Sequence, residues 1–235
     1  MANGRAIFRA VSPDDLETLA ARPAGDAREE PEADGRRRRG NRTRESIVQE
    51  AADLASVEGL QGLTIGRLAA ELGMSKSGLF AHFGSKEELQ LATVEAARRR
   101  FVDHVVRPSR GLPRGRRRVE ALMAAWLDYY RSEVFRGGCF FHTVKAEFDS
   151  RGSSAVRDVV SQDAREFIAF LTREVRKAQE AGDLDPAVDA DQVAFELDAL
   201  GAAANQHFQL MRDPAAFDRA ARAIAARLDA LAVRG

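Results

Sequence analysis

Residues 63–83 read LTIGRLAAELGMSKSGLFAHF, and the fold follows from this stretch. Thr64 can cap a short helix over 65–72 whose Leu68 and Leu72 face inward. Gly73 supplies a turn, and Ser75 can cap a second short helix running to about His82. Two short helices about a glycine turn form the helix-turn-helix geometry. Its second helix lies in the major groove and presents its first residues to base edges. Ser75, Lys76 and Ser77 place short or flexible polar groups at that tip, and Gly78 removes a side chain where backbone can approach a phosphate or base. Leu79, Phe80 and Phe83 are apolar and are expected to pin the helix to its neighbours.

Upstream, Ile47, Ala51, Leu54 and Ala55 make one stripe of an amphipathic helix, expected to stop near Gly59 with that glycine as a left-handed cap. Downstream, Ser85 can cap a fourth helix with Glu87 and Glu88 in its first turn, where the helix dipole favours acids. It carries Leu89, Ala92 and Ala96 inward and fades near Val106. Residues 107–118 hold Pro108, Gly111, Pro113 and Gly115 and read as a loop. Helical patterns then recur at about 117–133, 139–149, 154–181, 190–211 and 214–233. With no alternating β-branched run and no internal repeat, the expectation is an all-α protein of about nine helices.

The chain has 235 residues, 31% of them charged, with Lys+Arg and Asp+Glu both at 36. No global charge excess therefore announces a nucleic-acid partner. One cysteine excludes a disulfide framework and a thiolate zinc site, and no metal site, cofactor or catalytic constellation is expected. No secretory h-region and no membrane-length apolar run is present, so a soluble cytoplasmic protein is expected. Local charge says more. Residues 1–35 hold eight acids against four arginines, and residues 36–44 hold six arginines and no acid. The acidic part is expected to be mostly disordered. An arginine run is ordinarily a solvated linker. Ahead of a helix-turn-helix, Arg36, Arg37, Arg38, Arg39 and Arg42 can instead enter the minor groove or follow phosphates.

Across some fifty residues the segment RESIVQEAADLASVEGLQGLTIGRLAAELGMSKSGLFAHFGSKEELQLATV resembles the N-terminal domain of the TetR family of bacterial regulators. Ala51-Ala52, the G-x-x-x-[ST] before the second helix, LA..LG, S-x-[SG]-x-[LF]-[YF]-x-H-F and SKEEL carry the resemblance. It implies that Thr64 caps and touches a phosphate, that Lys76, Ser77 and Gly78 occupy base-contact positions behind the Ser75 cap, and that Ala81 lies beside the groove. His82 and Lys86 match backbone-contact positions, and Arg44 closes the basic arm as a further DNA-contact candidate. Phe80 stands where the family usually has Tyr, so one phosphate hydrogen bond is missing there. Gly66 lies within the second helix at a cost of about 1 kcal/mol relative to Ala. The implied organisation is a tail and arm over 1–40, a DNA-binding domain over 41–88 and a ligand-binding and dimerisation domain over 89–235.

In that last region, Trp126, Tyr130, Phe141, Phe167 and Phe170 either fill a core or line a pocket between helices, with His142, Lys145 and Asn205 as polar candidates. Such a lining suggests an apolar or aromatic effector. Leu197, Leu200, Ala204 and Phe208 form one stripe and Phe217, Ile224 and Leu228 another. The resemblance implies that these two helices pair with their copies in a homodimer, with Gly201, Ala202 and Ala203 allowing close approach. Cys139 reads as a buried small hydrophobe. The functional expectation is a ligand-responsive regulator bound to double-stranded operator DNA, a repressor released by a small molecule. The alternative is a helical small-molecule-binding or enzymatic protein without DNA binding. Against an enzyme, Glu147 and Asp149 point to different helix faces, and no phosphate-cradling loop or H-E-x-x-H is present.

Overall fold

The computed structural model describes residues 31–233 and, among them, nine α-helices and no strand. They are α1 Pro31–Gly62, α2 Ile65–Glu71, α3 Lys76–Phe83, α4 Lys86–Phe101, α5 Arg116–Arg131, α6 Phe140–Phe148, α7 Ala155–Glu180, α8 Ala190–Met211 and α9 Ala215–Ala230. After α4 a π turn at Val102–Val106 and a 3₁₀ turn at Arg107–Ser109 lead into the Pro/Gly loop.

The local signals act as their chemistry requires. Thr64, Ser75 and Ser85 each accept a hydrogen bond from the backbone N–H three residues on, at 3.0–3.1 Å, and start α2, α3 and α4. Ile47, Val48, Ala51, Leu54 and Ala55 bury the inner face of α1, which packs against α4 and α6. Burial of a Leu- or Ile-sized side chain contributes about 1.5–3 kcal/mol, so this seam outweighs the weak preference of two seven- or eight-residue helices to form alone.

One boundary differs from expectation. Helix α1 begins at Pro31, not near Arg42, so Arg38, Arg39 and Arg42 extend from a helix and are not part of a loose arm. Arginine is a good helix former, so the run can carry the helix upstream of the stripe. The tail over 1–30, and the side chains of Arg36 and Arg37, lie outside the described residues. At the other end the long helical run of α1 ends at Gly59, as expected, with that glycine at positive φ (φ 74°, ψ 168°), and one separate turn follows to Gly62.

The C-terminal half is a bundle of α5, α7, α8 and α9, with α6 wedged between it and α1. Here the expected dimer stripes need correction. Leu197, Ala204, Phe217, Ile224 and Leu228 are buried within the single chain, and Leu200 and Phe208 pack partly buried against the same core. Phe208 and Phe217 meet at 5.0 Å between ring centres. Each stripe is the apolar face that its own bundle consumes. Gly201 likewise makes room for Trp126 and not for a second chain, because a Cβ there would lie 3.1 Å from the indole.

Candidate nucleic-acid interface and effector cavity

Leu79 and Phe83, four residues apart, bury one side of α3; Lys76, Ser77, Phe80 and Ala81 are left exposed on the other. Phe80 is thus not a pin. It is 49% exposed, because it falls about a quarter-turn from the buried pair and joins the polar tip as a surface aromatic. Gly78 is half-buried beneath the Ser75 cap. The role of Gly66 also becomes visible: a Cβ there would stand 3.2 Å from Lys76 Cε. The lysine stem therefore runs over a bare stretch of α2 on its way to the surface. Gly66→Ala should raise or preserve the melting temperature, since alanine is worth about 1 kcal/mol more in a helix. It should also weaken DNA binding several-fold by displacing Lys76, as fluorescence anisotropy would read. Unchanged affinity would show that the path over Gly66 does not matter.

Other expected contact residues are braces. Arg44 Nη1 donates to the His82 carbonyl at 2.8 Å, and its guanidinium lies 4.3 Å from the Phe83 ring centre. Lys86 Nζ donates to the Gln61 carbonyl at 2.8 Å. The first contact ties α1 to the end of α3, and the second ties α4 to the end of α1. His82 is half-buried, and Arg38, Arg39 and Arg42 are exposed along α1.

Helices α1, α2 and α3 are fastened to the bundle through α6 and the loop before it. Glu147 accepts from the backbone N–H groups of Leu60 and Gln61 at 2.7 and 2.8 Å, capping the turn after the Gly59 bend. Thr143 donates to the Ser56 carbonyl at 3.0 Å, and the Gly137 N–H donates to Ser56 Oγ at 2.9 Å. From α4, Arg100 bonds Gln49 and Asp53 of α1 and the Val134 carbonyl, and lies 4.5 Å from the centre of the Phe135 ring. Arg136 pairs with Glu50 and Glu71.

Between α4, α5, α6, α7 and α8 lies a cavity of about 220 Å³. Of the eight expected ligand residues, Trp126, Tyr130, Phe141, His142, Lys145, Phe167 and Phe170 line it, whereas Asn205 does not. Asn205 is buried elsewhere on the inner face of α8, two turns beyond Asp198. Rings meet edge to face: Trp126 on Phe167 at 4.8 Å, and Phe101 on Phe167 at 5.2 Å.

The cavity also holds charges that the sequence reading missed: Arg98, Asp163, Glu166 and Asp198. Arg98 Nη2 donates to Asp163 Oδ1 at 2.5 Å, and Nη1 pairs with Glu95. Burial pushes Asp163 up to about 6 against the opposing pull of Arg98, and burial also raises Glu166 and Asp198. Burial, aided by the Lys145 charge, lowers His142, which favours its neutral form near pH 7. Cys139 lines the wall as a buried thiol whose pKa burial raises, so little of it is the reactive thiolate. One signal for Asp163 was available. Val156, Val160 and Phe167 place it inside an apolar stripe, where a lone acid needs a reason.

Comparison with known proteins agrees with this architecture. Residues 47–93 match the family model described as bacterial regulatory proteins, tetR family, and residues 115–224 match the tetracyclin repressor-like C-terminal domain. No curated protein matches at a significant level. Among solved structures, a TetR transcriptional regulator from Chloroflexus aurantiacus is 25% identical with a TM-score of 0.77, over 83% of this chain and 98% of that one. A TetR-family regulator from Cytophaga hutchinsonii is 18% identical with a TM-score of 0.73, over 84% and 98%. AibR, solved with isovaleryl coenzyme A and operator DNA, is 20% identical with a TM-score of 0.62, over 78% and 96%. Two adjoining models that meet the chain on both sides of the α4–α5 loop, on a fold shared along nearly the whole length of these structures, make it a member of the TetR family of bacterial transcriptional regulators.

Proposed function

We propose that the protein is a cytoplasmic, sequence-specific DNA-binding repressor that acts as a homodimer and leaves its operator when a small molecule fills the cavity. The observation that carries this reading is the exposed Lys76–Ser77–Phe80–Ala81 face of a helix whose opposite side is anchored by Leu79 and Phe83. In this reading residues 41–88 read DNA, with Arg38, Arg39 and Arg42 following phosphates, and residues 89–235 bind effector and partner. AibR, with both operator DNA and an acyl coenzyme A in its structure, supports the pairing of these two roles on one fold.

For self-association, the outer side of α8 supplies what its inner stripe cannot. Phe195, Ala199, Ala203 and Leu210 recur at helical spacing and are exposed, with Met211 beside them and Ala221 and Ala225 exposed on α9. Phe195 at 63% and Leu210 at 79% exposure are large apolar side chains left in water by a single chain. A two-fold dimer would cover them and set two recognition helices near the 34–36 Å spacing of successive major grooves.

Effector release requires the ligand to favour a DNA-incompetent state. Two elements touch both cavity and reading head. Helix α4 gives Arg98 and Phe101 to the cavity and packs on α1; helix α6 gives Phe141, His142 and Lys145 to the cavity and Thr143 and Glu147 to α1. The test begins with selection of bound duplexes from a random pool by the purified protein, with the winners assayed by gel shift. An enriched two-fold site should emerge. Phe195→Asp combined with Leu210→Asp should yield a folded monomer by light scattering that has lost most affinity for that site. Failure to enrich any sequence would defeat the regulator reading, and an unchanged dimer would defeat this interface.

A further inference from the structure

Three acids line the cavity, Asp163, Glu166 and Asp198, against two bases, Arg98 and Lys145. Arg98 is already held from two sides, by Glu95 within α4 and by Asp163 across to α7. Asp163 is only 8% exposed, and its second oxygen, Oδ2, has no hydrogen-bond partner among the described residues. Glu166 lies one turn further along the same face of α7. Its Oε1 accepts from Gln162 at 2.6 Å, while its buried Oε2 has no partner among the described residues either. Buried carboxylate oxygens without donors are costly to keep, and the positive charge of a ligand placed beside them offsets that cost, with or without an N–H to donate. Around them stand Trp126, Phe101, Phe167 and Phe170, and aromatic faces attract cations most strongly where water is excluded.

We propose that the effector is an organic cation, an amine or quaternary ammonium on an apolar or aromatic body, with its positive centre between Asp163 and Glu166 and its body among the aromatic rings. This rests on the reading of the cavity as the effector site and replaces a purely apolar ligand with a charged one. It also supplies a route outward. The cation competes with Arg98 for Asp163, and that pair is the direct ionic link from α4 to α7. Weakening it frees the C-terminal end of α4, whose other end abuts the recognition helix. Lys145 does not reverse the preference, because Asp198 lies within its electrostatic reach in the same cavity.

Calorimetry on the full chain with three near-isosteric probes tests the proposal: benzyltrimethylammonium, the neutral 2-methyl-1-phenyl-2-propanol and the anionic 2,2-dimethyl-3-phenylpropanoate. The ammonium should bind at least tenfold more tightly than either. Both Asp163→Asn and Glu166→Gln should cost it at least tenfold while leaving the alcohol within about twofold. Glu166→Gln keeps the Arg98–Asp163 pair intact, so it decides the matter if Asp163→Asn fails to fold. Affinity should also fall between pH 7.5 and 5.5. Asp163 takes up a proton in that range, flanked by Arg98 and Glu95 from α4 and by Glu166 on its own helix. His142, beside Lys145 on α6 and facing Asp198 of α8, is held by burial and the Lys145 charge toward its neutral form, so any charge it takes up as pH falls repels the cation and acts in the same direction.

Equal or tighter binding of the alcohol or the carboxylate, no ammonium heat at millimolar concentration, or indifference to both substitutions would overturn the proposal. Gel shifts on the selected site separate the two readings. A carboxylate that releases DNA while the ammonium fails to bind would sink the cation and spare the regulator. Tight ammonium binding with no effect on DNA would support the cation and tell against effector-driven release.

Discussion

Lys76→Ala is expected to abolish specific operator binding while leaving the fold intact. The side chain is exposed at the first turn of α3 and makes none of the contacts that hold the helix, which are the Ser75 cap and the buried Leu79 and Phe83. A good side-chain contact to a base is worth about 1–3 kcal/mol of discrimination. A two-fold dimer uses it twice, so the loss is about 2–6 kcal/mol, or roughly 30-fold to more than a thousandfold in affinity. Fluorescence anisotropy on selected and scrambled duplexes would measure it, with thermal melting as the control for folding. A loss below threefold on the selected duplex would remove Lys76 from the reading tip.

The second large effect is on the joint between reading head and bundle. At Gly137 a Cβ would stand 2.2 Å from the Ser56 carbonyl oxygen, 2.4 Å from its carbon and 2.7 Å from the Val57 nitrogen. All three are backbone atoms of α1, so no side chain can swing aside. Gly137→Ala must push the loop from α1, and overpacking of this kind costs about 1–3 kcal/mol. Loss of the Gly137 N–H bond to Ser56 Oγ adds about 1 kcal/mol. At about 2–4 °C per kcal/mol for a chain of this size, the melting temperature should drop by roughly 4–16 °C. Thr143 and Glu147 grip the same end of α1, so operator affinity should fall as well. A melting curve that overlays the parent's would mean that the loop yields without strain.

The reading head was legible because it is local. Ser75 and Thr64 cap by chemistry written three residues ahead of each bond, and the Leu79–Phe83 pair declares its buried side by spacing alone. The seven cavity residues named from sequence share the property of being large side chains on inward stripes. Other features were hidden for physical reasons. Arg44 and Lys86 carry the same charge whether they meet a phosphate or a backbone carbonyl, and only the fold reveals the carbonyl. The stripes of α8 and α9 were correctly apolar, yet periodicity cannot say whether an apolar face meets its own bundle or a second chain. Phe195 and Leu210, the residues actually left exposed, are too widely spaced to stand out. Asp163 and Arg98 lie 65 positions apart, and nothing short of the fold joins them.

One contiguous apolar core runs from Ile47 and Leu60 beneath the reading head to Leu228 and Leu231 at the end of α9. Among the described residues the apolar core is thus continuous across the joint between α1 and the bundle. A core shared in this way couples the two ends, and calorimetry should show it as overlapping transitions of the reading head and the bundle on heating. A gain in thermal resistance on adding a small molecule would report occupancy anywhere in the molecule, but it would not by itself reveal which end had been touched.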